Sequence, residues 1–233
     1  MSGTLYGIGL GPGDPELVTL KAARLIAAAP VIAYPTLEGG DSFARSIAAD
    51  LIPEGAQELA ISIPMTTDRA PAQAAYDAGA EAISAHLSEG HDVVVLCEGD
   101  PFFYGSFMYL FSRLADDHKV EVVPGVTSVT ACAAAVGQPL SARNEVLTIL
   151  PGPLPEADLK AKIEAASSVA IMKVGRHLSK IRRVLEELNL SKHAAYIERA
   201  TLPNEHRAPL AEAPEKAPYF SMVLVSRGED PWL

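Results

Sequence analysis

An α/β protein of two domains is what the sequence predicts, and three observations predict it. Short apolar runs alternate with amphipathic helical stretches over most of the 233 residues, the pattern of successive β-α-β units. At Val93-Val94-Val95-Leu96-Cys97 the apolar run is unbroken between His91-Asp92 and Glu98-Gly99-Asp100-Pro101, as expected of a parallel strand covered on both faces. Near the carboxyl end the alternation stops: 207–213 and 219–227 both read as strands with no helix of normal length between them, which implies antiparallel pairing. The first domain is therefore expected to carry a mostly parallel sheet and the second a mixed one. The boundary is expected at 119/120, giving domains 1–119 and 120–233 with a binding cleft between them.

Each element has its own signal. A first strand spans 5–10, and Asp14-Pro15-Glu16 supplies an N-cap, a proline at the first helical position and an acid in the first turn, so a helix is expected over 16–29. A strand at 31–34 ends at Pro35, and Phe43, Ile47 and Leu51 share one face of a helix over 42–51. A strand at 58–63 is followed by an alanine-rich helix over 71–88, closed by Gly90 just past its end. After the strand 93–97 comes a helix over 106–116; Phe107, Phe111 and Leu114, with Phe103 just before it, follow helical spacing and are expected to form core. The second half alternates again, with strands at 120–123, 145–150, 168–174 and 194–199 and helices at 128–136, 156–166 and 177–188.

Composition narrows the function classes. A net charge of -10 with no run of Lys or Arg excludes a nucleic-acid partner, because such binding depends on neutralising phosphates. Two cysteines, Cys97 and Cys132, are too few for a disulfide framework or a cysteine-based zinc site, and point to a reducing cytoplasmic setting. The start Met1-Ser2-Gly3-Thr4 has no basic stretch, and the longest apolar segment is broken by Pro30. Neither a signal peptide nor a membrane span is expected. The histidines, His86, His91, His118, His177, His193 and His206, show no metal-ligand spacing, so no metal site is expected.

Three strand-end loops carry the chemistry. Gly7-Ile8-Gly9-Leu10-Gly11-Pro12-Gly13 invites a dinucleotide reading, but Pro12 or Asp14 stands where the third glycine of that fingerprint belongs, which speaks against a nicotinamide site. Gly99-Asp100-Pro101 and Pro124-Gly125-Val126-Thr127-Ser128 follow later strands. Small residues at successive strand ends suit a ligand pressed against backbone, at the edge where open α/β sheets bind.

With those pieces in hand, the sequence resembles the tetrapyrrole (corrin/porphyrin) methyltransferases that use S-adenosylmethionine. The resemblance rests on Gly9-Leu10-Gly11-Pro12-Gly13-Asp14-Pro15-Glu16-Leu17-Val18-Thr19-Leu20-Lys21-Ala22-Ala23, on Glu98-Gly99-Asp100-Pro101 and on Pro124-Gly125-Val126-Thr127-Ser128, in that order across essentially the whole chain. Residues 99–110 and Met172-Lys173-Val174-Gly175-Arg176 resemble the branch that methylates C20 of precorrin-2 or its cobalt-loaded counterpart. The resemblance implies two α/β domains holding S-adenosylmethionine through Pro12, Glu98, Gly99, Asp100, Phe103, Thr127, Ser128, Met172, Ala200 and Val225. It also implies a small tetrapyrrole substrate and a homodimer.

No catalytic residue is assigned from the sequence; Asp100, Glu98, Tyr104 and His177 are the candidates for proton handling. A substrate rich in carboxylates gains nothing from an acidic protein's overall field, so its recognition must be local. Arg45, Arg69, Arg113, Arg143, Lys173, Arg176 and Arg199 form the pool of clamps. Lys173, Arg176 and Arg199, with Tyr104, lie nearest the strand ends and are the substrate-binding candidates. The rival readings are another tetrapyrrole methylation, such as C1/C7 of uroporphyrinogen III, and a non-catalytic nucleotide-binding module.

Overall fold

The computed structural model of the chain describes residues 2–64, 66 and 68–227. The chain divides into two compact units, Met1–Thr127 and Ser128–Leu233. The first contains five strands, β1 (Thr4–Gly9), β2 (Val31–Leu37), β3 (Gln57–Ile63), β4 (Val93–Cys97) and β5 (Lys119–Val123). All neighbours are parallel, in the order β3-β2-β4-β1-β5. The helices are α1 (Leu20–Ala27), α2 (Phe43–Ile47), α3 (Arg69–Ser88) and α4 (Phe107–Leu114).

The uninterrupted apolar run of β4 is explained by burial on both sides. Val93, Val95 and Cys97 pack with Ile83 and Leu87 of α3 and Phe107 and Leu110 of α4. Val94 and Leu96 pack with Ile26 of α1 and Ile47 of α2 on the other face. Gly7 in the middle of β1 makes room for the fully buried Phe107 ring: a Cβ at Gly7 would stand 2.3 Å from Phe107 Cε1. Phe107→Ala empties that space and is expected to cost about 3–5 kcal/mol, read as a lower urea midpoint with an unchanged slope. A loss below about 1 kcal/mol would contradict this packing.

Connectivity locates the site. The connection through α1 leaves β1 and passes β4 to reach β2, whereas the one through α4 leaves β4 and passes β1 to reach β5. Since α1 and α4 cover opposite faces, the loops after β1 and β4 part in opposite directions. The crevice at such a switch point is where open α/β sheets accept ligands.

The strand 119–123 belongs to the first unit, so the boundary falls after Thr127 and not at 119/120. Pairing decides this: Thr4 to Ile8 of β1 face Lys119 to Val123 in parallel register. The helix expected over 16–29 is also divided. Asp14 caps a short 3-10 turn, Pro15–Leu17, by accepting from Glu16 N at 2.9 Å. Thr19 then caps α1 by accepting from Ala22 N at 3.2 Å. Two cap residues in succession start two elements. Helix 42–51 likewise tightens after Ile47 into a 3-10 turn, Ala49–Leu51.

The second unit has strands β6 (Leu147–Pro151), β7 (Ser168–Met172), β8 (Ala194–Glu198), β9 (His206–Pro209) and β10 (Ser221–Ser226), and helices α5 (Ser128–Val136), α6 (Glu156–Glu164) and α7 (Leu178–Glu187). Its sheet order is β6-β7-β10-β8-β9; only β6 and β7 are parallel, and the others pair antiparallel. Leu159 and Ile163 of α6 and Ile181, Val184 and Leu185 of α7 form its core with Ile171, Tyr196 and Val223, while α5 packs against β8 and β10. The strand expected over 207–213 stops at Pro209, which has no ladder donor, and a 3-10 turn, Leu210–Glu212, follows. Among the described residues no helix is long and apolar enough to cross a membrane.

Candidate active site

At the carboxyl ends of β1, β4 and β5 the three small-residue loops are bonded into one rim. Gly11 and Gly99 exchange two backbone hydrogen bonds, Gly11 N donating to Gly99 O at 3.1 Å and Gly99 N to Gly11 O at 2.7 Å. Leu10 N donates to Cys97 O at 2.9 Å. Gly9 and Gly125 press against this bridge: a Cβ at Gly125 would lie 2.1 Å from Gly99 O, and one at Gly9 2.5 Å from Gly125 N. No larger residue fits at either place without moving backbone. At Gly99 the reverse holds, since a Cβ there would meet nothing within 4 Å. Gly99 turns with φ +65°, so the rim presents bare backbone toward open space.

Asp100 ties the rim together. Its Oδ1 accepts from Phe102 N at 2.9 Å and its Oδ2 from Gly125 N at 3.1 Å, so one carboxylate fixes its own turn and the neighbouring loop. The Glu98 carboxyl is pushed up by burial, while its own backbone N–H and that of Ala44 pull it down. In the window above the ordinary carboxylate value the folded chain keeps this proton and the unfolded chain has lost it. Stability therefore falls as pH rises through that window and stays lower above it. Glu98→Gln is expected to match the parent's Tm near pH ~4 and exceed it near pH ~7; a Tm difference independent of pH would contradict this. Phe103 N donates to Asp100 O at 3.3 Å, and the Phe103 and Tyr104 rings meet edge to face at 5.3 Å. Tyr104, 44% exposed, holds φ 58°.

In the second unit, Met172 ends β7, with Lys173 after it at φ 56°. Beyond β8 come Arg199 at φ 51°, the buried Ala200, and Thr201 at φ 70°. Left-handed backbone is rare for side chains of these types, and for the β-branched Thr201 it is a marked outlier. Arg199 Nη1 donates to Glu198 Oε1 at 2.6 Å, and the Tyr196 hydroxyl donates to Glu198 Oε2 at 2.5 Å. The second Glu198 oxygen thus raises the Tyr196 phenol above its ordinary value, after burial as the main cause. Gly152 N donates to Met172 O at 2.7 Å, and Gly175 N to Ser221 Oγ at 3.2 Å. The His177 imidazole is lowered, by burial first and by Lys180 and Arg176 second.

Residues 4–214 match the family of Tetrapyrrole (Corrin/Porphyrin) Methylases. This chain belongs to that family. The methylase is 43% identical to precorrin-2 C(20)-methyltransferase of a Sinorhizobium species, over 98% of this chain and 97% of that one. It is 31% identical to cobalt-precorrin-2 C(20)-methyltransferase of Salmonella typhimurium, over 97% of this chain and 98% of the relative. Among solved structures, the uroporphyrin-III C-methyl transferase of Thermus thermophilus, complexed with S-adenosylhomocysteine, superposes with a TM-score of 0.69 at 27% identity, covering 96% of this chain and 92% of that one.

The methylase's rim gathers Pro12, Glu98, Gly99, Asp100 and Phe103, and Thr127 follows in the third loop; Ser128 opens α5. Met172 and Ala200 lie at the carboxyl ends of β7 and β8. Val225 is not brought to them. Antiparallel β10 pairs Val225 with Val169 and Ala194 at the opposite ends of those strands, where it is buried in the core; the residue beside Met172 is Met222. Two arginines of the clamp pool are engaged elsewhere. Arg45 forms a bidentate pair with Glu58 at 2.6 and 2.8 Å, and Arg113 binds Asp77 and Gln73, both at 2.6 Å. Sequence reasoning did not single out Glu198, which holds Arg199, or Ser221, which holds Gly175. An acid closing an apolar strand, directly before Arg199, was the signal for the first, and Ser221 carries none.

Proposed function

We propose that this methylase transfers the methyl group of S-adenosylmethionine to C20 of precorrin-2, in cobalamin biosynthesis, giving precorrin-3A and S-adenosylhomocysteine. The observation that carries the reading is the 43% identity, over nearly the full length of both chains, to a precorrin-2 C(20)-methyltransferase. Bare backbone at Gly99, with open space where a side chain would stand, supports close approach of the cofactor at the switch point. When bound, S-adenosylmethionine supplies an electrophilic methyl group on a sulfonium centre.

The residues that would hold it are Pro12, Glu98, Gly99, Asp100, Phe103 and Thr127 of the first unit and Ser128, Met172 and Ala200 of the second. The hydroxyls of Thr127 and Ser128 and a backbone group at Phe103 bond its polar portions, Gly99 lets the ligand approach the rim closely, and Met172 offers polarizable apolar contact. Tyr104, Lys173, Arg176 and Arg199 bind the tetrapyrrole and its carboxylates. The left-handed backbone at Tyr104, Lys173 and Arg199 supports this, because such strain gathers at ligand sites. A meso carbon of a reduced macrocycle is itself a nucleophile. The protein's contribution is alignment and exclusion of water, effects that supply roughly 7–11 kcal/mol in favourable cases.

The test is release of S-adenosylhomocysteine by the purified chain given S-adenosylmethionine and metal-free precorrin-2. Turnover is expected. Release with uroporphyrinogen III alone would move the reading to another methylation, and cofactor binding without turnover on any tetrapyrrole would leave a binding module. A second reading, the cobalt complex as substrate, is favoured by the similarity to the Salmonella typhimurium enzyme; parallel assays on both forms separate the two. We further propose a cytoplasmic homodimer. The free, buried thiols Cys97 and Cys132 suit a reducing compartment, and exposed Phe102 and Tyr109 suit a subunit interface. Sedimentation at micromolar concentration is expected to give the dimer mass, and a monomer there would contradict it.

A further inference from the structure

The carboxyl end of α3, where the chain enters the amino end of β4 and thus opposite the rim, gathers a second set of reactive side chains. His91 N donates to His86 O and Gly90 N to Leu87 O, both at 3.0 Å, with Gly90 at φ 90°. These two bonds define a Schellman ending, which sets the residue three places before the cap beside the one two places after it, a contact usually apolar. Here both are histidines, their rings 6.0 Å apart, and the cap between them is Glu89.

One ligand atom from each of His86, Glu89 and His91 lies within 4.8 Å of the others. His91 Nδ1 and Glu89 Oε2 are already 3.6 Å apart, close to the roughly 3.4 Å that two ligands keep on a tetrahedral zinc with bonds of about 2.1 Å. His86 Nδ1 is buried and has no hydrogen-bond partner, a costly state for a polar nitrogen unless something else meets it. The backbone beneath is fixed: Gly3 N donates to Leu87 O at 2.8 Å and Thr4 N to Asp92 Oδ1 at 2.6 Å.

We propose that His86, Glu89 and His91 bind a borderline divalent cation, zinc(II) above all. Two imidazoles and one carboxylate suit Zn(II), Co(II) or Ni(II), whereas Mg(II) and Ca(II) prefer an all-oxygen shell. Three protein ligands leave the remaining position to water. The histidines missed the usual spacing because a helix end reverses the chain: the residues meet across the Gly90 turn and not along a helical face. The site is independent of methyl transfer, because it lies before β4 begins and the rim follows where β4 ends.

The test uses the full chain without an affinity tag. Calorimetric titration with Zn(II) is expected to show one saturable equivalent, and Co(II) to give visible d–d absorption of a nitrogen-ligated ion. Loss of a ligand in His86→Gln or His91→Gln is expected to weaken binding by about tenfold or more, at least what outer-shell changes cost, and Glu89→Gln by less. Zn(II) should raise the Tm of the parent by clearly more than that of His91→Gln at the same concentration, while methyl transfer is unchanged in all three. Absence of saturable binding in the folded parent, or an affinity and Co(II) spectrum unchanged in His91→Gln, would overturn the proposal.

Discussion

Gly125→Ala is expected to lose stability and cofactor binding together, whereas Gly99→Val is expected to lose binding and keep most of its stability. The two glycines touch, but their missing side chains point to different places. A methyl group on Gly125 would stand 2.1 Å from Gly99 O and 2.8 Å from Gly9 Cα. All of these are backbone atoms, so the β1, β4 and β5 loops must separate. Overpacking of this kind costs about 1–3 kcal/mol, and the strain falls on the Gly11–Gly99 bridge. A side chain on Gly99 meets no protein atom within 4 Å. Its cost to folding is the left-handed backbone, about 1–2 kcal/mol, while its volume occupies the space proposed for the cofactor. Urea unfolding and calorimetry with S-adenosylhomocysteine separate these effects. Gly99→Val is expected to weaken binding by about 100-fold, some 2.7 kcal/mol. Parent-like affinity in that variant would remove the rim from the cofactor site.

Asp100→Ala should reduce affinity by loosening the rim. Both carboxylate oxygens are committed to backbone donors, Phe102 N and Gly125 N, and charged hydrogen bonds contribute about 1.5–3 kcal/mol each. A loss of about 3 kcal/mol in stability is therefore expected, with weaker cofactor binding as a consequence. Asp100→Asn keeps one acceptor oxygen and should recover part of both. If Asp100 acted solely by touching the cofactor, Asp100→Ala would lose affinity with its urea midpoint unmoved, and that outcome would contradict the tie.

Much of this was legible in the residues. The apolar run of β4, the glycine loops and the switch from alternating to strand-only patterning in the tail led to a parallel and a mixed sheet, as found, because local periodicity reports burial directly. What stayed hidden depends on partners distant in the chain. The allegiance of β5 is decided by its ladder with β1, more than a hundred residues away in sequence. Val225 was misplaced because antiparallel pairing reverses which end of β10 lies beside Met172. The tie between Asp100 and Gly125 is hidden in the same way, since nothing near Asp100 in sequence announces a donor so far along the chain. The helix start moved to Leu20 because Asp14 and Thr19 are both competent caps, and spacing alone does not rank them.

The position of the transferred methyl group decides whether C20 is the acceptor. Precorrin-2 incubated with the purified chain and S-adenosylmethionine labelled with carbon-13 at its methyl should yield a trimethylated product whose new signal, in NMR, belongs to the methyl on C20. A label found at any other carbon of the macrocycle would contradict the assignment.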